Sequence, residues 1–296
     1  MLKNSLNLTL FFLLATTVFC LPKTDATIAE ITNMRDILPE ITSDTLVLMD
    51  LDDTCVATES MLGSSPWWEY FTRKMMSAKF DTTTTFHRVF PLIGKVIQSI
   101  PLKSIENETP LLVRSLQEQN IVVWALTARI KEAPYDPNFA ASTHFQLQKA
   151  GFDFELSPLP SAANLTRATF PKIFAHGIIF TTHKLKGPVL KQFLQDIDFY
   201  PAKIVMVDDK MKHLESVETS LQELNIPCVC FRYTRLDQAE TTFDPLISNL
   251  QLKALLTQGY IPTDEQAALW KNELLKLKPG LSPDFYLEEL IMNIKN

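Results

Sequence analysis

Across 296 residues the chain is 46% hydrophobic and 21% charged, with a formal net charge of -6. That balance supports a large buried core, and an acidic chain without a Lys/Arg cluster excludes a polyanionic partner such as nucleic acid. Only 7 glycines occur, and neither GxGxxG nor GxxxxGK followed by Ser or Thr is present, so nucleotide-binding loops of those two kinds are excluded as well.

Residues 1–26 read as a signal peptide. Lys3 gives a positive start, and Leu8 to Phe19 is nearly all apolar but too short to cross a hydrocarbon core of roughly 30 Å. Thr24-Asp25-Ala26 offers a cleavage point and Cys20 a second one, although Phe19 sits where lipidation of Cys20 needs a small residue. The mature chain is therefore expected to be exported, periplasmic or secreted, with no transmembrane span. Ile28, Ile31, Met34, Ile37 and Leu38 then recur at helical spacing and predict an amphipathic helix over 27–40.

Five short apolar runs follow: Leu46–Met49, Ile121–Leu126, Gly177–Thr181, Ile204–Val207 and Pro227–Phe231. Each is nearly continuous, as in strands buried on both faces. Helical patterns at Pro110–Gln119, Asn138–Ala150, Pro188–Ile197 and Met211–Leu224 lie between them. The alternation predicts an α/β fold with a doubly wound parallel sheet, its core formed by residues 27–55 and 109–236. Residues 56–108 are far longer than the connection requires. With Trp67, Trp68, Tyr70, Phe71, Met75, Phe80, Phe86 and Phe90 they can bury a small core of their own, which predicts a helical cap inserted after the first strand. Residues 237–296 predict a C-terminal helical extension (Pro245–Leu256, Asp264–Leu275 and Pro283–Ile294) packed on the core.

Cys228 and Cys230 lie two apart in a strand, on one face, and read as core packing rather than a redox or metal pair. No CxxC or HExxH gives zinc spacing, and the 5 histidines are scattered. His183 reads as surface or structural. Asn107 and Asn164 sit in N-x-Thr sequons.

The polar residues that matter fall at the carboxyl ends of the strands, where open α/β sheets bind ligands. The first strand runs out into Asp50-Leu51-Asp52-Asp53-Thr54, the second into Thr127-Ala128-Arg129, and the fourth into Asp208-Asp209. Singly, each has a plain structural explanation, since Asp and Thr cap helices and adjacent carboxylates often line a solvated loop. Together they place several carboxylates in one crevice, where their mutual repulsion calls for a cation. With oxygen ligands only, Mg²⁺ suits the set.

Asp50-x-Asp52-x-Thr54 after a hydrophobic strand resembles the first signature of the haloacid dehalogenase (HAD) superfamily. Thr127 matches the second, Lys186 the third and Asp208-Asp209 the fourth, in order, over roughly residues 44–232. The contexts Lys186-Gly187 and Asp208-Asp209-Lys210 resemble most closely a poorly characterised group of exported HAD-like proteins. Asp53 departs from the many members that have Gly there. Lys184 competes with Lys186, which is preferred because Gly187-Pro188 opens a helix directly after it.

The resemblance implies a Mg²⁺-dependent phosphatase acting on a small phosphorylated substrate. Asp50 would attack phosphorus and form an aspartyl-phosphate, and Asp52 would serve as general acid and then base. Thr54, Thr127 and Lys186 would bind the phosphoryl group. Asp50, the backbone carbonyl of Asp52, and Asp209 would hold Mg²⁺, with Asp208 an outer or alternate ligand. Three rivals remain: phosphotransfer on the same scaffold, a non-catalytic exported binding protein, and a receiver-like module. A receiver carries its phosphoryl-accepting Asp at the end of the third strand, where this chain has Phe180-Thr181-Thr182.

Overall fold

A computed structural model describes residues 28–133, 138–160, 170–237 and 242–295. The expected signal peptide and the Asn164 sequon lie outside them, and Asn107 is exposed. Strands in chain order are β1 (Ala29–Ile31), β2 (Thr45–Met49), β3 (Val56–Thr58), β4 (Leu102–Ser104), β5 (Val122–Thr127), β6 (Phe174–Ala175), β7 (Ile178–Phe180), β8 (Lys203–Asp208) and β9 (Cys228–Tyr233). Seven of them form the central sheet in the order β1-β9-β8-β2-β5-β7-β6. Every neighbouring pair is parallel except β6 with β7. The architecture is α/β with a mostly parallel sheet of Rossmann-like type.

Strict alternation along the strands builds the core on both faces. Val47, Met49, Val123, Ala125, Val205 and Val207 enter one apolar cluster. Leu46, Leu48, Trp124, Leu126, Ile204 and Met206 enter the other. This is why the sequence shows continuous apolar runs rather than apolar–polar alternation. The helices flanking the sheet are α4 (Thr109–Glu118), α5 (Phe139–Lys149), α6 (Lys186–Asp196) and α7 (Met211–Gln222), numbered after the helices between β3 and β4. Cys228 and Cys230 are both free thiols, with Sγ atoms 3.4 Å apart.

The amphipathic helix expected over 27–40 is not formed. Ala29–Ile31 extends the sheet beside β9, and a 3₁₀ helix occupies Met34–Glu40, capped by the Asn33 side chain and carrying Pro39 inside. Proline cannot donate the hydrogen bond that an α-helix would need there. Met34 and Ile37 still bury on the sheet, so the apolar spacing is real but serves a tighter coil.

Residues 56–108 begin and end on an antiparallel ribbon, β3 with β4, with helices α1 (Ser65–Ser77), α2 (Thr82–Thr84) and α3 (Phe90–Ser99) between. A π-turn at Thr85–Val89 joins α2 to α3 ahead of Pro91, which cannot continue a regular ladder. The C-terminal helices are α8 (Pro245–Gln258), α9 (Asp264–Leu277) and α10 (Phe285–Lys295). They were expected on the α/β core, but Leu252, Leu255, Leu287 and Ile294 instead join Trp67, Tyr70, Phe71, Met75 and Val96 in one cluster. The inserted helices leave an apolar face that the sheet does not cover, and these helices cover it. Among the described residues, no helix is long and apolar enough to cross a membrane.

Candidate functional site

The strand order reverses at β2, since β5 lies on one side of it and β8 on the other. A crevice opens at such a point, outside the carboxyl ends of the strands. The register brings the chemistry level: Met49 pairs with both Ala125 and Val207, and the Asp50 amide donates to the Val207 carbonyl at 2.9 Å. Asp50 and Asp208 therefore emerge side by side.

Lys186 lies between them. Its Nζ is 2.5 Å from Asp50 Oδ1 and 2.6 Å from Asp208 Oδ2, and the side chain has no exposed surface. The backbone delivers it in two ways. Thr181, Thr182 and His183 donate backbone hydrogen bonds to the Thr127, Arg129 and Ala128 carbonyls, strapping the loop along the end of β5. Gly187 then lets α6 touch α7, because a Cβ there would fall 1.9 Å from the Ser216 carbonyl oxygen. Lys184 and His183 are exposed in the same loop, so of the two candidate lysines it is Lys186 that reaches the carboxylates.

The electrostatics follow from burial. The Asp50 carboxyl is pushed well above the ordinary range by burial and by the negative charges of Asp208 and Asp209, although Lys186 pulls it down. Burial also raises Asp209 to about 6, against the pull of Lys210, whose Nζ is 3.0 Å away. Burial would lower the Lys186 ammonium, but Asp50 and Asp208 together hold it above its usual value. The buried lysine thus faces two carboxylates, Asp50 and Asp208, while Asp209 pairs with Lys210.

Asp50, Asp208 and Asp209 each offer an oxygen within 4.8 Å of the others. That donor set is all oxygen and fits a hard divalent cation such as Mg²⁺ better than a softer ion. The Asp52 carboxylate does not join them, and of Asp52 only the backbone was expected to. Its side chain turns to the mouth of the crevice and pairs with Arg129 through both oxygens, at 2.8 and 2.6 Å. Desolvation opposes ionisation there, but the guanidinium prevails and holds Asp52 below the ordinary carboxylate range.

Thr54 is buried, and its Oγ1 accepts the Asp209 amide at 3.1 Å, tying the loop after β2 to the loop after β8. Thr127 ends β5, fully buried, and its Oγ1 accepts the Arg129 amide at 3.2 Å. Arg129 is the residue that sequence reasoning left without a role. Its signal was the spacing Thr127-Ala128-Arg129, which puts Arg129 on the side of Thr127. Asp53 has φ 61° and accepts from the Ser65 hydroxyl at the start of α1. Among non-glycine residues, Asp and Asn adopt this left-handed backbone most readily. A cavity of about 270 Å³ opens beside Asp209, lined by Asp53, Ser65, Lys103, Lys210 and Tyr233 among others. Neither Trp67 nor Trp68 lines it; Trp67 is fully buried and stacks on Phe71 at 4.7 Å.

Fold and site together define an α/β protein with buried carboxylates and a lysine at the reversal point of a mostly parallel sheet. The chain belongs to the family described as "Protein of unknown function (DUF2608)", which it matches over residues 27–267. It is 26% identical over 244 residues to a Chlamydia trachomatis protein named "Putative outer membrane protein", covering 80% of this chain and 89% of that one. A Chlamydia muridarum protein of the same name is 25% identical over 272 residues, covering 90% and 99%. An uncharacterized Rickettsia prowazekii protein is 25% identical over 245 residues, covering 81% and 88%.

Proposed function

We propose that this chain is an exported, Mg²⁺-dependent phosphomonoester hydrolase of HAD type that works through an aspartyl-phosphate on Asp50. The observation that carries the reading is the cluster of Asp50, Asp208 and Asp209 at the reversal of strand order, with the buried Lys186 amine paired to the first two. Its members come from three strand ends or loops, in the chain order of the HAD motifs. Export is supported by Lys3 and the apolar run Leu8 to Phe19, and by relatives that carry the name "Putative outer membrane protein". The helical insert over α1 to α3 takes the place of a cap.

Asp50 lies at the floor of the crevice, where a carboxylate oxygen can attack phosphorus in line and divide one hard displacement into two. Asp50, Asp209, Asp208 and the Asp52 backbone carbonyl would hold Mg²⁺. When bound, the ion supplies charge that shields the nucleophile from the phosphate. Lys186 offsets negative charge on the transferring group. Asp52 rests ionised against Arg129, so acid catalysis requires it to leave that pair and take up a proton on one carboxylate oxygen. An incoming phosphoryl group carries the charge that competes for Arg129. Freed in this way, Asp52 can protonate the leaving oxygen and later deprotonate the hydrolytic water.

The test is a panel of phosphomonoesters turned over by the mature chain with Mg²⁺, with Ca²⁺ and with chelator. Turnover with Mg²⁺, poor turnover with Ca²⁺ and none in chelator is expected, because Mg²⁺ demands tighter octahedral geometry. Full activity in excess chelator overturns the reading.

A further inference from the structure

At the amino end of β7, opposite the carboxyl-end crevice, three elements bring two imidazoles and a carboxylate together. His144 comes from α5, Glu155 from a 3₁₀ turn at Phe154–Leu156, and His176 from the hairpin between β6 and β7. His176 Nδ1 lies 2.9 Å from Glu155 Oε2, and His144 Nε2 lies 3.6 Å from the same oxygen. All three donor atoms fall within 4.8 Å of one another. Donors bound to one tetrahedral ion at ~2.0–2.2 Å stand about 3.3–3.6 Å apart, so the spacing is near that of a shared cation.

The backbone holds this arrangement in place. His176 has φ 53°, and Gly177, at φ 73°, packs so tightly that a Cβ would fall 2.1 Å from the Phe154 carbonyl oxygen. The hairpin is thereby seated on the turn that carries Glu155. The Glu155 amide is itself fixed by the Asp153 side chain at 3.0 Å.

We propose that His144, Glu155 and His176 form a second metal site, selective for a borderline transition cation such as Zn²⁺ rather than Mg²⁺. Two imidazoles and one carboxylate are the donors such ions prefer, whereas Mg²⁺ and Ca²⁺ prefer oxygen alone. Three protein ligands leave one position of a tetrahedral ion open. Glu155 and His176 also line a cavity of about 210 Å³ with Trp124, Ser157 and Phe174, so the open position has space beside it for water or a small ligand. The two rings stack at 4.4 Å with 13° between their planes, so their lone pairs converge only after one imidazole turns about its Cβ–Cγ bond. The His176 side chain is 32% exposed.

The experiment is a calorimetric titration of the mature chain with Zn²⁺ in excess Mg²⁺, which saturates the carboxylate crevice, repeated with Co²⁺ to read coordination from its visible absorption. One Zn²⁺ per chain and a tetrahedral Co²⁺ spectrum are expected, both retained in Asp209→Asn. His144→Ala, Glu155→Gln and His176→Asn should each weaken binding at least ~10-fold, and Asn tolerates the left-handed backbone at 176. Circular dichroism establishes that each variant is folded, and His144→Ala, on a regular helix, gives a readout free of backbone strain. No Zn²⁺ uptake by the parent chain overturns the proposal, as does uptake that survives in both histidine variants or disappears in Asp209→Asn. In the first of these outcomes the cluster is a hydrogen-bonded His–Glu–His group only. Phosphatase activity is not a readout, so this proposal stands or falls apart from the function proposed above.

Discussion

Lys186 is fully buried, and its charge is tolerable only because Asp50 and Asp208 accept it at 2.5 and 2.6 Å. Removing it leaves two carboxylates facing each other in the interior. Lys186→Ala should therefore destabilise the fold by about 3–5 kcal/mol in chelator, as breaking buried pairs does. Added Mg²⁺ should recover part of that loss, since a cation in the same crevice neutralises the same oxygens. Urea unfolding with and without Mg²⁺ reads both, and an unchanged midpoint in chelator would contradict the electrostatic account. The two carboxylates after β2 separate by a different measurement. Asp50→Asn should abolish turnover of every ester. Asp52→Ala should be far more damaging for an alkyl ester, whose leaving oxygen needs a proton, than for a nitrophenyl ester. Rapid mixing of the nitrophenyl ester with Asp52→Ala should release phenol in a burst while phosphate stays on Asp50. Equal losses for the two esters would mean that Asp52 is not the acid.

At the scale of elements, the first turn of α6 depends on Gly187. Its Cβ-less backbone meets the Ser216 carbonyl, and the Gly187 amide donates to Ser216 Oγ at 3.1 Å. Gly187→Ala forces α6 away from α7 and draws Lys186 with it. Overpacking of this kind costs typically about 1–3 kcal/mol, so the thermal midpoint and kcat should fall together. A variant with parent-like kcat would show that the approach of α6 does not set Lys186. The long strands were legible because β2, β5 and β8 bury both faces and so leave unbroken apolar runs. β1, β3, β4 and β6 were not, because two or three residues carry no period, and the partners of β1, β3 and β4 are remote in sequence. The same limit applied to the site. Asp50, Thr127 and Asp208 could be placed at strand ends from the runs before them. The bidentate pairing of Asp52 with Arg129 depends on register between β2 and β5, which no local pattern contains.

For the molecule as a whole, the insert and the C-terminal helices are joined through Asp284. Tyr70 donates its hydroxyl to Asp284 Oδ1 at 2.8 Å, Lys74 pairs with the other oxygen, and Asn249 Nδ2 donates to both Tyr70 Oη and the Pro283 carbonyl. Partial burial would raise the Asp284 carboxyl, but the Lys74 and Tyr70 hydrogen bonds hold it below the ordinary carboxylate range. A carboxyl depressed on folding stabilises above its unfolded pKa, about 3.9, and the stabilisation is lost as pH falls through the lower folded value. Asp284→Asn should thus cost roughly 2 kcal/mol at neutral pH, with the gap to the parent chain closing below about pH 4. Equilibrium unfolding across that window checks the sign, and a gap that widens in acid would refute it.

The insert is completed by residues that lie far along the chain. The bonds from Met61 to Asp264, Arg88 to Ile294 and Tyr70 to Asp284 span 203, 206 and 214 positions. Contacts of such separation form late, because the loop they close must first be paid for in entropy. On the proposed export route the chain emerges amino end first, so Trp67, Phe71 and Met75 reach the far side of the membrane well before Leu252, Leu255 and Leu287. In that interval Asp50, Lys186 and Asp208 can already meet at the strand ends while the apolar face of the inserted helices is still bare. Leu252, Leu255 and Leu287 close that face only when the last three helices arrive.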